Sequence, residues 1–277
     1  MADDTRFAGG DQSYLRDEQY RDSSRLGRRA DIHARYGTAT VPWFEWVSDR
    51  FDLQPGQRVL EVGCGPGWLW DSIATSVPEG IDLVLTDLSP GMVAEAHKRV
   101  AARAALASVE ARVADLQSLP FDTGSFDRVI ANHMLYHLPD PAAGVAELAR
   151  VVRPGGRVIA ATNGPRHLDS MHAITARVLG NSPVDATANA FGRETGQLLL
   201  ERWFGELRWE QYDDELHCTD VDDLLAYLCS APPGEDATPA QRAALRLALA
   251  EAVAEGDGVL RVTKDTGCFV AVSPVGD

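Results

Sequence analysis

The chain has 277 residues, 45% of them apolar by type, and carries 26 Lys and Arg against 41 Asp and Glu, a formal charge of −15. Such an apolar share fills one large core or two modest ones, while so acidic a chain lacks the clustered cations with which a protein neutralises nucleic-acid phosphates or settles on an anionic membrane. No segment resembles a secretory leader or approaches the roughly 18 apolar residues of a membrane span, and Cys64, Cys218, Cys229 and Cys268 are scattered without a metal or disulfide spacing, so a reduced, cytoplasmic chain is expected.

Residues 1–35 balance seven Arg against seven Asp and Glu. Leu15, Tyr20, Leu26 and Ile32 are too few for an independent core, so short helices folding against the rest are expected. Residues 1–50 read as a helical lid and 51–277 as the main domain. Trp43, Trp46 and Val47 share a helical face, which reads as an aromatic helix packed on a sheet. From Gly56 onward strands and helices alternate: strands at Arg58–Val62 and Ile81–Thr86, a helix from Pro90, capped by Ser89, through Ala107, then strands at Val109–Ala114 and Phe126–Ala131. A helix at Pro141–Val152 stops at Arg153-Pro-Gly-Gly156, and Arg157–Ala161 is a fifth strand. Strands separated by helices imply a parallel, doubly wound α/β sheet, because parallel neighbours require crossovers. Beyond it come helical stretches over about 165–205, broken at Gly180-Asn-Ser-Pro183, a strand Leu207–Glu215, helices Val221–Cys229 and Pro239–Ala254, and strand-like Val259–Val272. These read as sheet completion with helical insertions at about 165–200 and 217–257.

The segment Val59-Leu-Glu-Val-Gly-Cys-Gly-Pro-Gly67 runs from a strand into three alternating glycines. Residues without side chains let the backbone turn tightly and approach a ligand, at the strand end where open α/β sheets bind ligands. A dinucleotide fingerprint has the spacing G-x-G-x-x-G/A; here Trp68 takes the small-residue slot, and the Glu61 carboxylate suits a cation better than a pyrophosphate. Asp87, twenty residues past Gly67, can accept both ribose hydroxyl protons. Asp115 can accept from an exocyclic amine, and the Leu116 backbone N–H can meet a ring nitrogen. Together these describe a nucleoside with a cationic tail.

Those residues resemble the class I S-adenosylmethionine-dependent methyltransferases, in particular the small-molecule group. The likeness rests on the E-x-G-x-G-x-G loop, Thr86-Asp-Leu-Ser-Pro-Gly-Met92, the A-D-x-x-x-L-P-F segment at 114–121, Ser125-Phe-Asp127 and L-x-R-V-x-R-P-G-G at 148–156, and covers about 57–164. It implies a seven-stranded, mostly parallel Rossmann-like sheet whose last strand is antiparallel, with S-adenosyl-L-methionine as cofactor. By the same resemblance, Glu61, Gly63, Gly65 and Gly67 cradle the methionine part, Asp87 holds the ribose, Leu88 and Met92 flank the adenine, and Asp115 and Leu116 read its edge. The likeness fades after residue 165, where such enzymes differ in acceptor.

Methyl transfer from a sulfonium needs positioning and exclusion of water more than acid–base chemistry. Asn132 and His133 follow the fourth strand and are expected in the donor cleft, with His133 the candidate base because its ordinary pKa lies near neutrality. His137 reads as a packing residue or acceptor neighbour. The H-x-x-x-H spacing lacks the Glu of a zincin and a third ligand, so no metal is expected. Tyr14, Tyr20 and Arg29 suit a lid that covers a nucleoside or clamps a carboxylate, Tyr20 and Arg29 on the donor side and Tyr14 on the acceptor side. Asn163, Arg166 and His167 leave the fifth strand toward the acceptor. The expected activity is methyl transfer to O or N of a small metabolite, by a monomer or homodimer. Rival readings are an enzyme that cleaves or cyclises S-adenosylmethionine, a non-catalytic nucleoside-binding subunit, and a nucleic-acid methyltransferase, which the charge disfavours.

Overall fold

The computed structural model describes residues 6–8 and 11–274; the parts of the expected lid at 1–5 and 9–10, and residues 275–277, lie outside them. Apolar runs form strands β1 (Arg58–Val62), β2 (Ile81–Asp87), β3 (Leu106–Val113), β4 (Phe126–Asn132), β5 (Val152–Asn163), β6 (Glu206–Cys218) and β7 (Leu260–Val272). They make a single sheet in the order β3-β2-β1-β4-β5-β7-β6. The first five are parallel, and β7 runs antiparallel to both β5 and β6, as the resemblance implied.

Alternation along β1 divides the core. Val59 packs on one face with Val47, Phe51 and Trp70, while Leu60 and Val62 join Phe126, Val145 and Leu148 on the other. Helices α1 (Gln12–Tyr14, continued by a π-helical turn Leu15–Gln19), α2 (Ser24–Tyr36), α3 (Trp43–Ser48), α4 (Trp68–Ser72), α5 (Pro90–Val100) and α6 (Pro141–Val151) precede or cross over the parallel strands. Then come α7 (Asp169–Leu179), α8 (Ala186–Phe191), α9 (Arg193–Leu200), α10 (Val221–Leu228) and α11 (Pro239–Glu255). Ser89 and Asp140 cap α5 and α6 by accepting backbone N–H bonds, and each helix begins with Pro. A third core cluster ties Ile32 of α2 to Met171 of α7, Leu224 of α10, Leu245 and Leu249 of α11 and the strand residues Leu216 and Val262. The N-terminal helix and the late helices therefore share one body above the strand ends.

Several boundaries differ from expectation. The alanine-rich run that predicts a helix to Ala107 ends its helix at Val100, because Leu106 already pairs with Ile81 on the sheet edge. Strand β3 consequently starts at Leu106, ahead of Val109. Strand β5 begins at Val152, before the Pro-Gly-Gly punctuation: Val152 pairs with Phe126, and a register shift absorbs the glycines before Arg157 meets Arg128. Strand β6 extends to Cys218 because β7 supplies a partner along its whole length. Among the described residues no helix is long and apolar enough to cross a membrane.

Candidate functional site

A cavity of about 750 Å³ opens at the carboxyl ends of β1, β2, β4 and β5 and is roofed by α2, α3 and the late helices. Glu61, Gly63, Gly65, Asp87, Leu88, Met92, Asp115, Leu116, Asn132, Tyr20 and Arg29 all line it. Backbone φ angles of +59° at Gly63 and +53° at Gly65 favour glycine. A Cβ on Gly65 would meet only Leu26, at 3.7 Å, so open space lies in front of it. Gly67 departs from expectation. Its Cβ would fall 3.0 Å from the Ala96 Cα and 3.1 Å from Val100, so this glycine packs the loop on α5 and takes no part in the cavity wall.

Asp87 organises the loop. Its Oδ2 accepts the Gly65 N–H at 2.9 Å and its Oδ1 the Ser89 N–H at 2.8 Å. Burial raises its carboxyl pKa, while those N–H groups oppose the shift. Glu61, 2% exposed, accepts the Trp70 indole N–H at 2.7 Å. Burial, with Asp87 nearby, lifts its pKa to about 8 against the pull of the Trp70 bond. Asp115 Oδ1 accepts the Gln117 N–H at 2.9 Å, which starts a 3-10 turn at Leu116 and turns both residues to the cavity.

His133, His137, Asn163 and His167 also line the cavity. His133 sits at φ +54°, a left-handed conformation held by its N–H bond to the Ala161 carbonyl at 3.1 Å. Its ring lies 5.0 Å from Trp43 and 3.5 Å from the Thr266 hydroxyl, and burial, reinforced by Lys264, drops its pKa to about 4. His137 has both nitrogens engaged: Nδ1 with the Phe7 carbonyl at 2.7 Å and Nε2 with the Tyr20 hydroxyl at 2.8 Å. Burial carries it down to about 3, so it donates at Nδ1, accepts at Nε2 and fastens the N-terminal segment, with no nitrogen left for an acceptor. Arg29 lies over the Phe7 and Tyr20 rings and reaches the Ser230 carbonyl.

Two acceptor-side expectations are overturned. Tyr14 is 5% exposed and turns from the cavity to bond Gln19 and Glu235, closing a latch in which Arg25 also pairs with Glu235. Arg166 is exposed, and only its backbone is engaged among the described residues, its N–H donated to Asp265 at 3.2 Å and its carbonyl accepting the Asp169 N–H at 3.4 Å. Sequence reasoning missed His33 of α2, Trp43 as a cavity wall, and the residues Tyr212, Lys264 and Thr266 of β6 and β7. The Lys264 ammonium pairs with the buried Asp214 carboxylate; it lies in the mostly polar run Arg261–Thr266, so no local pattern singled it out.

The residues present fit an S-adenosylmethionine donor. Arg29 Nη2 and Asn132 Oδ1 are buried without partners among the described residues, a donor suited to a carboxylate and an acceptor suited to an ammonium. The glycine cradle and Asp87 stand beside them.

A parallel sheet with a glycine turn after β1, an acidic residue ending β2 and an antiparallel final strand is the arrangement that the resemblance to class I S-adenosylmethionine-dependent methyltransferases implied. Residues 60–160 match the family model described as a methyltransferase domain. The chain is 44% identical over 109 residues to the malonyl-[acyl-carrier protein] O-methyltransferase of Hahella chejuensis, covering 38% of this chain and 36% of that protein. It is 40% identical over 119 residues to the demethylmenaquinone methyltransferase of Beutenbergia cavernae, covering 43% and 46%. The matches thus span less than half the length of these relatives. Phosphoethanolamine N-methyltransferase 2 of Haemonchus contortus, solved in complex with S-adenosyl-L-methionine, shares the fold with a TM-score of 0.57 at 18% identity, over 95% of this chain and 60% of that one. The [4+2]-cyclase SpnF also shares it, with a TM-score of 0.54 at 19% identity, over 93% and 95%.

Proposed function

We propose that the protein transfers a methyl group from S-adenosylmethionine to O or N of a small molecule held in the same cavity. The observation that carries this reading is the continuity of one cavity from the Gly63–Gly65 turn, Asp87 and Asp115 to a second wall of Trp43, His133, Tyr212 and Thr266. Gly63 and Gly65 offer backbone to the methionine part, Arg29 its guanidinium to the carboxylate, and Asn132 its carbonyl oxygen to the ammonium. Asp87 accepts from the ribose, Leu88 and Met92 flank the adenine, and Asp115 with the Leu116 N–H meets its edge. The bound donor supplies an electrophilic methyl on a positively charged sulfur. His133, expected to titrate near neutrality but held neutral down to about pH 4 by burial and therefore a weaker base than a free imidazole, accepts the proton that the attacking oxygen or nitrogen loses as the methyl is transferred. Tyr20, Arg29 and the segment latched by Glu235 act as the lid that excludes water.

Calorimetric titration tests donor binding: S-adenosylhomocysteine is expected to bind and NAD to fail. Turnover with an acceptor panel is expected to release S-adenosylhomocysteine. Methylthioadenosine as the product would replace this reading with donor cleavage, and binding of NAD alone would remove it.

A further inference from the structure

Beyond the donor half, the cavity holds polar atoms that no part of the proposal above uses. His33, on α2, and His167, in the turn after β5, face each other with ring planes 26° apart and centroids 6.3 Å apart. Both line the cavity, and His167 is only 8% exposed. In each ring Nδ1 is buried without a partner among the described residues, which leaves Nε2 to meet whatever enters. The strained neighbour Leu168, at φ +54°, shows that the turn holding His167 is constrained by its surroundings.

Charge narrows the ligand. Burial above all, with Lys264 and His133 contributing, brings His33 down to about 3, and burial with the neighbouring imidazoles of His33 and His133 keeps His167 well below its ordinary value. Both rings are therefore neutral. Lys264 is committed to Asp214, and Arg29 lies toward Phe7 and Tyr20. Asp185, the other carboxylate of this wall, accepts from the Thr187 N–H at 2.8 Å and the Thr187 hydroxyl at 2.7 Å. An anionic acceptor would find no uncommitted cation beside the two rings, and Asp185 Oδ2, outside the Thr187 bonds, faces the His172 Nε2 at 3.9 Å. A hydroxyl, which donates once and accepts as well, matches two neutral imidazoles: one accepts its proton in a hydrogen bond while the other donates to its oxygen. The Trp43 indole, 5.2 Å from Tyr212 and 5.0 Å from His133, supplies a flat apolar wall alongside.

We infer that His33 and His167 form the acceptor-recognition site, and that the acceptor is a flat, uncharged molecule whose phenolic or enolic hydroxyl the two rings hold between them. This rests on the methyltransferase reading and specifies its substrate class; His33 and His167 act as specificity-determining residues, and the hydroxyl they hold is a recognition group separate from the attacking atom whose proton goes to His133. The test is calorimetry in the presence of S-adenosylhomocysteine with three probes of one skeleton: 1-naphthol, 1-naphthoate and 1-naphthylmethylamine, respectively neutral, anionic and cationic near pH 7. The naphthol is expected to bind about tenfold more tightly than the other two. His33→Phe and His167→Phe should each abolish the preference, and His167→Gln, which keeps a donor and an acceptor, should retain part of it. Equal affinities, failure of all three probes to bind, or a preference untouched by the Phe substitutions overturns the inference. Titration of the same proteins with S-adenosylhomocysteine separates the two levels: if it binds normally, the fold and donor site stand and only the acceptor assignment falls, whereas its failure to bind the wild-type chain brings down the methyltransferase reading itself.

Discussion

Replacing Asp87 with Ala perturbs two things that the structure makes separable. The carboxylate accepts the Gly65 N–H at 2.9 Å and the Ser89 N–H at 2.8 Å, so its loss leaves two half-buried backbone donors without protein partners. At about 1 kcal/mol each, the lower end of the range because water can reach them, the cost is about 2 kcal/mol of stability. For a chain of this size that lowers the unfolding temperature by roughly 4–8 °C. The same carboxylate is assigned two ribose hydroxyls. Hydrogen bonds to a charged group contribute about 1.5–3 kcal/mol apiece, so at least about 3 kcal/mol of donor affinity is at stake, a rise in Kd of roughly 100-fold. Asp87→Asn keeps one accepting oxygen and should fall between the two proteins on both scales. Calorimetry with S-adenosylhomocysteine, paired with thermal unfolding of the free protein, reads both numbers. A lowered unfolding temperature with affinity within about threefold of wild type would refute the ribose role and leave Asp87 as a loop organiser alone.

Glu61 should make stability fall with rising pH. Its folded pKa of about 8, against an ordinary 4.5, means that the native chain keeps a proton which the unfolded chain releases, so the contribution is complete below the unfolded value and is lost as pH rises through the folded one. Glu61→Gln should flatten that decline, and parallel wild-type and variant urea midpoints at about pH 5 and pH 8 would contradict it. His133→Ala should lower turnover by roughly 100-fold with little change in S-adenosylhomocysteine affinity, the lower range for a lost acid–base group; equal rates at saturating substrate would remove it from the chemistry. The two glycines should separate in opposite ways. Both variants strain a residue at positive φ, but Gly67→Ala, at +77°, also crowds Ala96 and costs more stability, whereas Gly65→Ala, at +53°, places its methyl in open space beside the cradle and should weaken donor binding more than Gly67→Ala does. Thermal shift and calorimetry on both variants would expose a reversal.

The cavity residues around the glycine turn were legible because they sit next to strand ends in sequence. Asp87 terminates β2, Asn132 terminates β4, and Glu61 with Gly63 and Gly65 spans the end of β1 and its turn; in a parallel sheet every such end opens on the same edge, so pattern alone brought them together. Short-range pattern also misled. Alanine's helix propensity carried the helix past Val100, where the pairing of Leu106 with Ile81 ends it, since tertiary pairing overrides a weak local preference. Gly67 looked like its two loop companions until its packing against α5 was visible, and Tyr14 and Arg166 were chosen by residue type, which does not say which way a side chain turns.

Local pattern was enough for the parallel core, the turn after β1 and the acidic residues that follow it, because each is a consequence of strand period, glycine conformation and strand-end position. The far wall of the cavity, by contrast, exists only in the folded chain. His33, Trp43, His167, Tyr212 and Lys264 come from an N-terminal helix pair, a turn after β5 and an antiparallel strand pair near the end of the chain, and no periodicity records that they meet. They meet because the third core cluster packs α2 against the late helices, and that cooperative burial of apolar surface depends on the whole chain being folded.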